Sequence, residues 1–593
     1  AVLPTGGGKS LLYQLPALYL GGVTVVVSPL IALMDDQVGQ LHRRGITAFA
    51  WHSGKSFSDQ QLIQENLLRR NEPMLLYVSP ERLETEAFLS FVARIPVRFL
   101  AVDEAHCISQ WGHDFRPAYR HILKFREIFP KLPLIALTAT ATAEVEKDII
   151  TQLNLTEPNI FRQSIYKPNL GIYVREETDK IKFLVRHIQH LQGSGIVYIR
   201  NRKNAEEIAQ TLSNYGFNGM YYHAGLSAEE RQMIQDKWLR DKYRFVVATN
   251  AFGMGIDKSD VRWIIHVAPV SSVEEYYQEI GRAGRDGLPA KAYMLWNEED
   301  FENMHSIIDI AFPSEEMITY ILRRFVHYFQ LPKGRAVLSQ RFNMEELGKV
   351  FEVSIFQIHS VLSLLMKMGV LEYQEPILQE GEVEILINSD EMLQIRLQYP
   401  RLFELIDYWV RRVDNAFGAP IKVETENLME NLGASKKDII QRLEALHRYG
   451  FVSYKPEGQY GIVRFPHGRP DLQTIEYDME LVKSLKERQL QGVRNMQKYI
   501  DEDECRFRFL QQYFGEKTRN ICSHCDLFYQ SQALKNNRIA RLADRLWENI
   551  PENGMDLSEY IVLQNNEYMA QAVIRHLYRQ QKIVYSSDKI YRN

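Results

Sequence analysis

The chain has 593 residues, 45% of them apolar, and is long enough to bury several hydrophobic cores in about three to five domains. Its formal net charge of -4 at pH 7 excludes a chain that is basic throughout, so any surface for nucleic acid must be a local one. Four cysteines are too few for a disulfide framework in a chain of this size, and they predict a reducing environment inside the cell.

The chain begins almost directly with a glycine-rich loop, PTGGGKS (4–10). Backbone N–H groups of such a loop would close around a triphosphate, with the Lys9 ammonium at the β- and γ-phosphates and the Ser10 hydroxyl on Mg²⁺. A plain turn is the alternative for this motif in isolation. A phosphate loop normally follows a buried strand, and we therefore expect the sequence to be N-terminally incomplete.

The segment 11–34 carries no charged residue and would by length alone also fit a membrane span. Gln14, Pro16, Gly21 and Pro29 interrupt its apolar character. We predict instead a short helix, a turn and a buried parallel strand, with no membrane association.

Short apolar runs alternate with helical periodicity through the first 300 residues, which predicts two tandem α/β domains with parallel sheets, joined near 166–174. Polar residues at the carboxyl ends of such strands usually form the functional site. The runs of the first domain are VTVVVSP (23–29), MLLYVSP (74–80), FLAVDEAH (99–106) and LIALTAT (134–140), and those of the second are GIVYIRN (195–201), FVVATNAFG (245–253), WIIHVAP (263–269) and KAYMLWN (291–297).

Two carboxylates lie near the end of the third run, in AVDEAH (101–106). At the end of a strand beside a phosphate loop, Asp103 would hold the Mg²⁺ shell and Glu104 would orient an attacking water. The alternative is a solvated turn without chemistry.

Two arginines in the second domain stand three residues apart in QEIGRAGRDG (278–287). Arg282 and Arg285 would share one side of a helix and neutralise charge that develops on a γ-phosphoryl group. If they reach a nucleotide held by the other domain, closure of the two domains depends on ATP, and hydrolysis is converted into their relative motion. Surface ion pairs are the alternative reading of these arginines.

Six segments in a fixed order carry a resemblance: PTGGGKS (4–10), SPLIALMDDQV (28–38), DEAHCISQWGHDFRPAYR (103–120), LTATAT (137–142), ATNAFGMGIDKSDVR (248–262) and YYQEIGRAGRDG (276–287). The set resembles the motifs of RecQ-family DNA helicases, members of superfamily two, over about the first 300 residues and again near 496–528. The resemblance implies two RecA-like lobes with ATP and Mg²⁺ between them. It further implies 3′-to-5′ movement on single-stranded DNA, unwinding of duplex and forked DNA in recombination and repair, and a cytoplasmic, nucleoid-associated protein.

Residue roles follow from the same resemblance, position by position. The implied catalytic residues are Lys9, Asp103, Glu104, Arg282 and Arg285, with Mg²⁺ held by Ser10 and Asp103. The implied nucleotide-binding residues are Thr5, Gly6, Gly7, Gly8, Lys9, Ser10, Asp257 and Gln278. The implied DNA-coupling residues are Ser28, Pro29, His106, Gln110, Trp111, Phe115 and Arg116.

The aromatic loop of this set also has a physical rationale. Base faces stack on side chains such as Trp111 and Phe115 without regard to sequence, at about 1–3 kcal/mol per base. The loop begins two residues after Glu104, so DNA bound there would act directly on the catalytic carboxylate. Without the resemblance, both aromatics would read equally well as core residues.

After about residue 310 the pattern becomes mainly helical, with a weak repeat in LLMKMGVLEY (364–373), LHRYGFVSY (446–454) and LYRQQKIVY (577–585). Each unit ends a helix and begins a strand, and the last two are followed by a turn and a second strand, as in a winged helix. Three unrelated helix-to-hairpin junctions are the alternative. Basic residues of the second unit modestly favour a DNA face over an ordinary solvated helix face: Lys436, Lys437, Arg442 and Arg448.

Three of the four cysteines resemble the first three ligands of the family's zinc module, which usually follows the last helicase motif closely. Here they are Cys505, Cys522 and Cys525, about 200 residues after that motif, and Phe528 stands in the fourth position. Three thiolates do not close a tetrahedral zinc site, so His524, Asp526 or another residue must complete it, or the module is metal-free and packed by Phe528. The family also reads adenine with a glutamine upstream of the phosphate loop, in a region that the sequence does not contain.

The predicted fold class is α/β, with two RecA-like parallel-sheet domains followed by mainly helical winged-helix-like modules and a cysteine-containing helical module. The leading function is an ATP-dependent DNA helicase, and the alternatives are a DNA-binding scaffold with an inactive motor and an RNA helicase. Protein partners could bind through the winged-helix-like modules. The predicted boundaries are 1–168 and 169–310 for the two lobes, 311–415 and 416–490 for two winged-helix-like modules, 491–532 for the cysteine module and 533–593 for a C-terminal winged-helix-like module.

Overall fold

The computed structural model describes residues 1–52, 54–69, 72–109, 112, 115–250, 252–253, 258–334, 337–379, 381–413, 416–417, 419–503, 505–518, 522–535, 538–556, 567–586 and 589–593. These residues form two compact units. One contains Ala1–His305 together with Glu487–Asn593, and the other contains Ser306–Lys486.

The first lobe is a five-stranded parallel sheet with helices packed on it. Its elements are α1 (Leu11–Leu20), β1 (Val23–Val27), α2 (Ile31–Arg43), β2 (Ala48–Trp51), α3 (Phe57–Arg69), β3 (Met74–Val78), α4 (Glu86–Val92), β4 (Val97–Val102), α5 (Ile122–Ile128), β5 (Leu134–Ala136) and α6 (Ala143–Gln152), with 3₁₀ turns at Pro80–Glu84, Ala105–Ile108 and Pro117–His121. The strand order is β2-β3-β1-β4-β5. Every residue of β1 and β3 is buried, which explains their unbroken apolar runs.

The first residues of the chain lie at the edge of this sheet. Val2 pairs in parallel with Thr138 and with Arg162, and the amino group of Ala1 donates to the Ala136 carbonyl at 2.7 Å. The phosphate loop therefore leaves from a short extended segment beside β5.

The second lobe is a six-stranded parallel sheet with the order β6-β11-β10-β7-β9-β8. Its predicted strands are all present, and the structure adds the sheet's outer strands β6 and β8. The elements are β6 (Leu170–Glu176), α7 (Lys180–His190), β7 (Ser194–Tyr198), α8 (Arg202–Asn214), β8 (Gly219–Tyr222), α9 (Ala228–Leu239), β9 (Phe245–Ala248), β10 (Val261–His266), α10 (Val273–Ile280), β11 (Ala290–Trp296) and α11 (Glu298–Ala311).

The unit Ser306–Lys486 contains two small three-stranded sheets. Its elements are α12 (Glu315–Tyr328), β12 (Leu338–Asn343), α13 (Met344–Phe351), α14 (Ile355–Lys367), β13 (Glu372–Gln379), β14 (Gly381–Ile385), α15 (Ser389–Gln398), α16 (Pro400–Arg412), β15 (Ile421–Val423), α17 (Thr425–Leu432), α18 (Lys436–Arg448), β16 (Val452–Lys455) and β17 (Gly458–Phe465), followed by α19 (Met479–Ile500), which continues into the other unit. The sheets have the orders β12-β17-β13 and β15-β14-β16.

The pairing in these sheets corrects two expectations. β16 and β17 were expected to form one hairpin, but β16 pairs with β14 whereas β17 pairs with β12 and β13. The segment 381–456 is thus a module inserted between two neighbouring strands of its host. Its core joins Val383 to Trp409 and Leu443, so the structure also differs from the predicted boundary between 415 and 416.

The cysteine module and the C-terminal module pack in the same compact unit as the lobes. Their elements are α20 (Arg506–Tyr513), α21 (Asp526–Lys535), α22 (Arg538–Asn549), β18 (Met555–Asp556), α23 (Glu567–Arg579), β19 (Ile583–Ser586) and β20 (Lys589–Arg592). The predicted C-terminal wing is present, because β19 pairs with β20 in antiparallel. Asp526 covers the outer edge of β6, where its carboxylate accepts from the Val174 N–H at 3.1 Å.

Among the described residues, no single helix has the length and apolar composition of a membrane span. Among these residues, the pair α13 and α14 has that length and composition only when the two helices are taken together, and they are bent by 104° relative to each other.

Candidate active site

The phosphate loop has the backbone shape that an anion cradle requires. The Gly7 N–H donates to the Pro4 carbonyl at 2.9 Å, and the Leu11 N–H donates to the Gly8 carbonyl at 3.0 Å, where α1 begins. Gly6 has a φ of +82°, a backbone conformation that residues other than glycine rarely adopt. The loop therefore presents its remaining N–H groups at the N-terminus of a ten-residue helix, where phosphate binds favourably.

The two carboxylates of the DEAH segment lie at the end of β4, beside this loop. Glu104 has a φ of +45°, a left-handed conformation uncommon for a residue with a side chain and frequent at functional sites. Its Oε1 lies 3.6 Å from Nζ of Lys9. Burial raises the pKa of Asp103 to about 6, and the Glu104 carboxylate acts in the same direction. A cation bound next to Asp103 would counter both effects.

A chain of polar contacts runs from Glu104 to the second lobe. Nδ1 of His106 lies 3.3 Å from Oε2 of Glu104 and 2.9 Å from Oγ1 of Thr138. The Thr138 hydroxyl donates to the Thr140 carbonyl at 3.1 Å, and Nε2 of Gln278 donates to the Thr140 hydroxyl at 3.2 Å. These contacts connect α10, which carries Gln278, with the carboxylate of Glu104.

The GRAGR segment of the second lobe reaches the phosphate loop of the first. The sequence predicted that Arg282 and Arg285 share one side of a helix, but α10 ends at Ile280 and both arginines lie in the turn that follows it. A Cβ atom on Gly6 would lie only 3.0 Å from Cγ of Arg285, so the absence of a side chain at Gly6 lets Arg285 rest on the loop. A Cβ on Gly281 would lie 2.8 Å from Cβ of Thr5. Arg282 is 8% exposed and donates to the Gly253 carbonyl.

These groups line one cleft between the lobes, with a volume of about 710 Å³, a size typical of nucleotide-sized ligand pockets. Thirteen of the predicted site residues line it: Thr5, Gly6, Gly8, Lys9, Ser10, Pro29, Asp103, Glu104, His106, Arg116, Gln278, Arg282 and Arg285. The combination of lysine and arginine cations with hydroxyl and carboxylate oxygens fits a nucleoside triphosphate and the oxygen ligands that Mg²⁺ prefers.

Three further predicted residues that the structure describes fall outside the lining of this cleft. Ser28 is buried, and its N–H donates to the Val78 carbonyl at 3.0 Å. Phe115 lies 5.4 Å from the Arg120 guanidinium carbon. Gly7 shapes the loop through its bond to Pro4. The predicted residues that lie outside the described part of the chain are Gln110, Trp111 and Asp257.

The linker between the lobes supplies contacts that the sequence analysis missed. Nζ of Lys167 donates to the carbonyls of Gly281 and Ala283, at 2.7 and 3.3 Å. Nδ2 of Asn169 donates to the carbonyls of Gly284 and Leu288, both at 2.8 Å. The segment that carries the arginines is therefore held along its backbone by the linker, although nothing in the residue types of the linker indicates this role.

The three late cysteines form a buried cluster. Sγ of Cys505 and Sγ of Cys522 lie 3.3 Å apart, and with Cys525 all three sulfur atoms lie within 4.8 Å of one another, as ligands of one metal ion would. Hydrogen bonds from the other two thiols hold the pKa of Cys505 below its ordinary value. The backbone N–H of Phe528 donates to Sγ of Cys525 at 3.4 Å.

The fourth ligand of this cluster is not supplied by the predicted Asp526. Its carboxylate is held by the buried guanidinium of Arg506, with contacts of 3.1–3.3 Å, and by Val174. Among the described His, Cys, Asp and Glu residues, none joins the three cysteines at ligand distance, and this includes His524. The donor set thus fits three corners of a zinc tetrahedron.

The predicted basic face of the second winged-helix-like module is smaller than its residue types indicate. Arg442 is engaged by Asp438 at 2.5 Å and by Glu404 at 2.7 Å. Lys436, Lys437 and Arg448 are exposed on the same helix.

Sequence profiles of known families match four segments of the chain. The DEAD/DEAH box helicase profile matches residues 1–149, and the helicase conserved C-terminal domain matches residues 179–287. A RecQ helicase winged-helix domain from Bacteroidota matches residues 383–456, which is the inserted module. The RecQ zinc-binding profile matches residues 469–527 and ends one residue before Phe528.

Curated relatives match the two lobes. The ATP-dependent DNA helicase RecQ of Pasteurella multocida is 45% identical over 308 residues, which are 52% of this chain and 49% of that protein. The corresponding proteins of Haemophilus influenzae and Bacillus subtilis are 44% and 41% identical, over 52% and 55% of this chain and 50% and 56% of their own lengths. The chain thus spans about half the length of the curated relatives it matches. With two RecQ-specific profiles and the helicase cleft in the same chain, the protein belongs to the RecQ family of helicases.

Proposed function

We propose that this protein is an ATP-dependent DNA helicase that moves 3′-to-5′ along single-stranded DNA and unwinds duplexes in recombination and repair. The observation that carries the proposal is the cleft in which the phosphate loop and carboxylates of one lobe meet the two arginines of the other. A motor needs this arrangement, because nucleotide held by one lobe and sensed by the other makes the distance between lobes depend on hydrolysis.

The residues of the cleft divide the chemistry among them. Lys9 and the loop N–H groups would bind phosphate oxygens, and Ser10 and Asp103 would hold Mg²⁺, which would neutralise phosphate charge. Glu104 orients the attacking water, and its contact with Lys9 keeps its carboxylate beside the phosphates. Arg285 stabilises the charge that develops on the transferred phosphoryl group.

DNA binding would act on this cleft through the loop that follows Glu104. Arg116 at the end of that loop donates to the Pro29 carbonyl at 2.8 Å, which joins two of the predicted DNA-coupling segments. Bases stacked on Trp111 and Phe115 would shift the loop, and His106 would pass the shift to Glu104. This gives a physical route from single-stranded DNA to the rate of hydrolysis.

The test is ATP turnover by the purified full-length protein with no nucleic acid, with single-stranded DNA and with single-stranded RNA. We expect stimulation by DNA and little by RNA, together with unwinding of a duplex that carries a 3′ single-stranded tail. Selective stimulation by RNA would favour the RNA helicase. DNA binding without turnover under any condition would favour the scaffold.

We further propose that the cysteine cluster holds one zinc ion through three thiolates. Restoring a fourth sulfur by Phe528→Cys is expected to tighten metal binding by about 10–100-fold, because a structural zinc site is closed by four ligands. Competition with a chromogenic chelator measures the affinity, and the absorption bands of the Co²⁺-substituted protein distinguish three sulfur ligands from four. Phe528→Ala is the matched control. Equal affinities and identical Co²⁺ spectra for Phe528→Cys and the unmodified protein would contradict the assignment.

We propose single-stranded and forked DNA as substrates of the protein and a cytoplasmic, nucleoid-associated location for it. The winged-helix modules are proposed as the places where duplex DNA or a protein partner binds, with Lys436, Lys437 and Arg448 as the basic candidates.

A further inference from the structure

The linker 162–169 is bound on one side by the helix and turn that carry the arginines. The hydroxyl of Tyr277, on α10, donates to the Ile165 carbonyl at 3.0 Å. Lys167 and Asn169 donate to the carbonyls of the turn that follows the helix. The linker thus contacts the arginine-bearing element before, at and after the point where the helix ends.

The cysteine module binds the same linker from another side. The carboxylate of Glu516 accepts from the Ile165 N–H at 2.6 Å and from the Ser164 hydroxyl at 2.8 Å. Nε2 of Gln511 donates to the same carboxylate at 2.8 Å and orients it. The ring of Phe514 lies 5.4 Å from that of Tyr277, so the module also reaches α10 directly.

Lys167 occupies an unusual position for a lysine. Burial, with Arg285 as the second cause, lowers the pKa of Lys167 to about 8, which still leaves the ammonium charged at neutral pH. Among the described residues, no carboxylate forms an ion pair with it. Its partners are the carbonyls of Gly281 and Ala283, which flank Arg282 and lie where the helix dipole is negative. A buried cation satisfied by these carbonyls fixes the direction in which the turn leaves the helix.

We propose that Lys167 is a positioning residue for the arginines of the GRAGR turn, and that Glu516 supports it by holding the linker from the cysteine module. The inference rests on the proposed ATPase function, because positioning matters only if the arginines act on a phosphoryl group. The linker is also the covalent connection between the two lobes. The cysteine module therefore acts on hydrolysis through the linker and not through contact with the nucleotide.

The test compares two variants of Lys167. Lys167→Met keeps the length of the side chain but removes its charge and its hydrogen-bond donors, whereas Lys167→Arg keeps the charge and the donors. We expect Lys167→Met to lower kcat at saturating single-stranded DNA by about tenfold or more, with KM for ATP changed less than about threefold. Lys167→Arg should restore most of kcat. The matched control is Lys180→Met, which removes a mostly buried lysine of the second lobe that is paired with Asp300.

A binding measurement separates positioning from a general loss of structure. Affinity for ADP with aluminium fluoride, which mimics the transferred phosphoryl group, should fall by the same factor as kcat, whereas affinity for ADP alone should not change. Equal weakening of both ligands, or an unchanged kcat, would overturn the inference. Glu516→Gln should give a smaller loss with the same signature, and it serves as the readout if Lys167→Met does not fold.

The same measurement distinguishes this inference from the proposed function. An unmodified protein that binds the analogue tightly but does not turn over ATP would contradict the proposed helicase function. The positioning role of Lys167 would then be decided by the affinities of the variants for the analogue and for ADP. An unmodified protein with no preference for the analogue over ADP would overturn both.

Discussion

Replacing Lys9 by alanine is expected to lower DNA-stimulated ATP turnover by about 10²–10³-fold while leaving the affinity for single-stranded DNA unchanged. The substitution removes the ammonium at the β- and γ-phosphates and takes from Glu104 the cation 3.6 Å from its carboxylate. The predicted DNA-coupling residues lie on other segments of the lobe. Turnover with saturating single-stranded DNA and fluorescence anisotropy with a labelled oligonucleotide measure the two properties.

The control for this variant is Lys147→Ala, which removes an exposed lysine from α6 of the same lobe. It should change neither property. If Lys9→Ala lost DNA affinity and turnover to the same extent, Lys9 would be contributing to the fold or to the DNA path, and its assignment to the phosphates would be wrong.

Replacing Arg285 by alanine is expected to lower kcat by about 10³-fold or more, the effect of removing an arginine that stabilises a phosphoryl transition state. Arg285 rests on Gly6 of the phosphate loop, whereas Arg282 already donates to the Gly253 carbonyl. We therefore expect Arg282→Ala to have the smaller effect. Single-turnover hydrolysis of bound ATP measures the chemical step separately from nucleotide affinity.

Arg240→Ala, at an exposed position on the same lobe, is the control for charge removal. A larger loss for Arg282→Ala than for Arg285→Ala would reverse the roles of the two arginines. Loss of nucleotide affinity in proportion to kcat would mean that Arg285 contributes to ground-state binding and not to the transition state.

Most of the strands that the sequence predicted in the first lobe share a physical property, the half-buried edge strand β5 being the exception. β1, β3 and the end of β4 are buried on both faces of their sheets, so their residues are almost all apolar and stand out from their surroundings. β2, β6 and β8 escaped prediction, and all three are outer strands of their sheets. β2 and β8 are also only four residues long. A short edge strand needs no long apolar run, and its pattern cannot be told from that of a loop.

The candidate site likewise contains residues that the sequence could predict and residues that it could not. The phosphate loop, the DEAH carboxylates and the arginines were predictable because each group lies in a compact segment whose residue types suit phosphate chemistry. Lys167 and Glu516 were not, since their partners lie more than 100 residues away in the sequence and a lone lysine or glutamate has many ordinary uses. The contact between Thr140 and Gln278 likewise joins two lobes that only the tertiary structure brings together.

The expected β16–β17 hairpin failed for a reason that local pattern cannot reveal. Two adjacent strands with a turn between them read as a hairpin, but the second strand completes a sheet begun more than 100 residues earlier, at β12. The choice between these partners depends on which apolar faces remain to be covered, and that is a property of the folded unit.

The inserted module has a consequence for the order of folding. Gln379 and Gly458 are direct partners in the host sheet, although the segment 380–457 separates them along the chain. Closing so long a flexible loop would cost about 2–3 kcal/mol more than closing a tight turn. At the other end of the connection, Glu382 and Lys455 are themselves paired, so the folded insert holds its two ends side by side. Folding of the insert before its host spares the host this entropic cost, so we expect the insert to form early and a substitution that unfolds it to weaken the pairing of Gln379 with Gly458 as well.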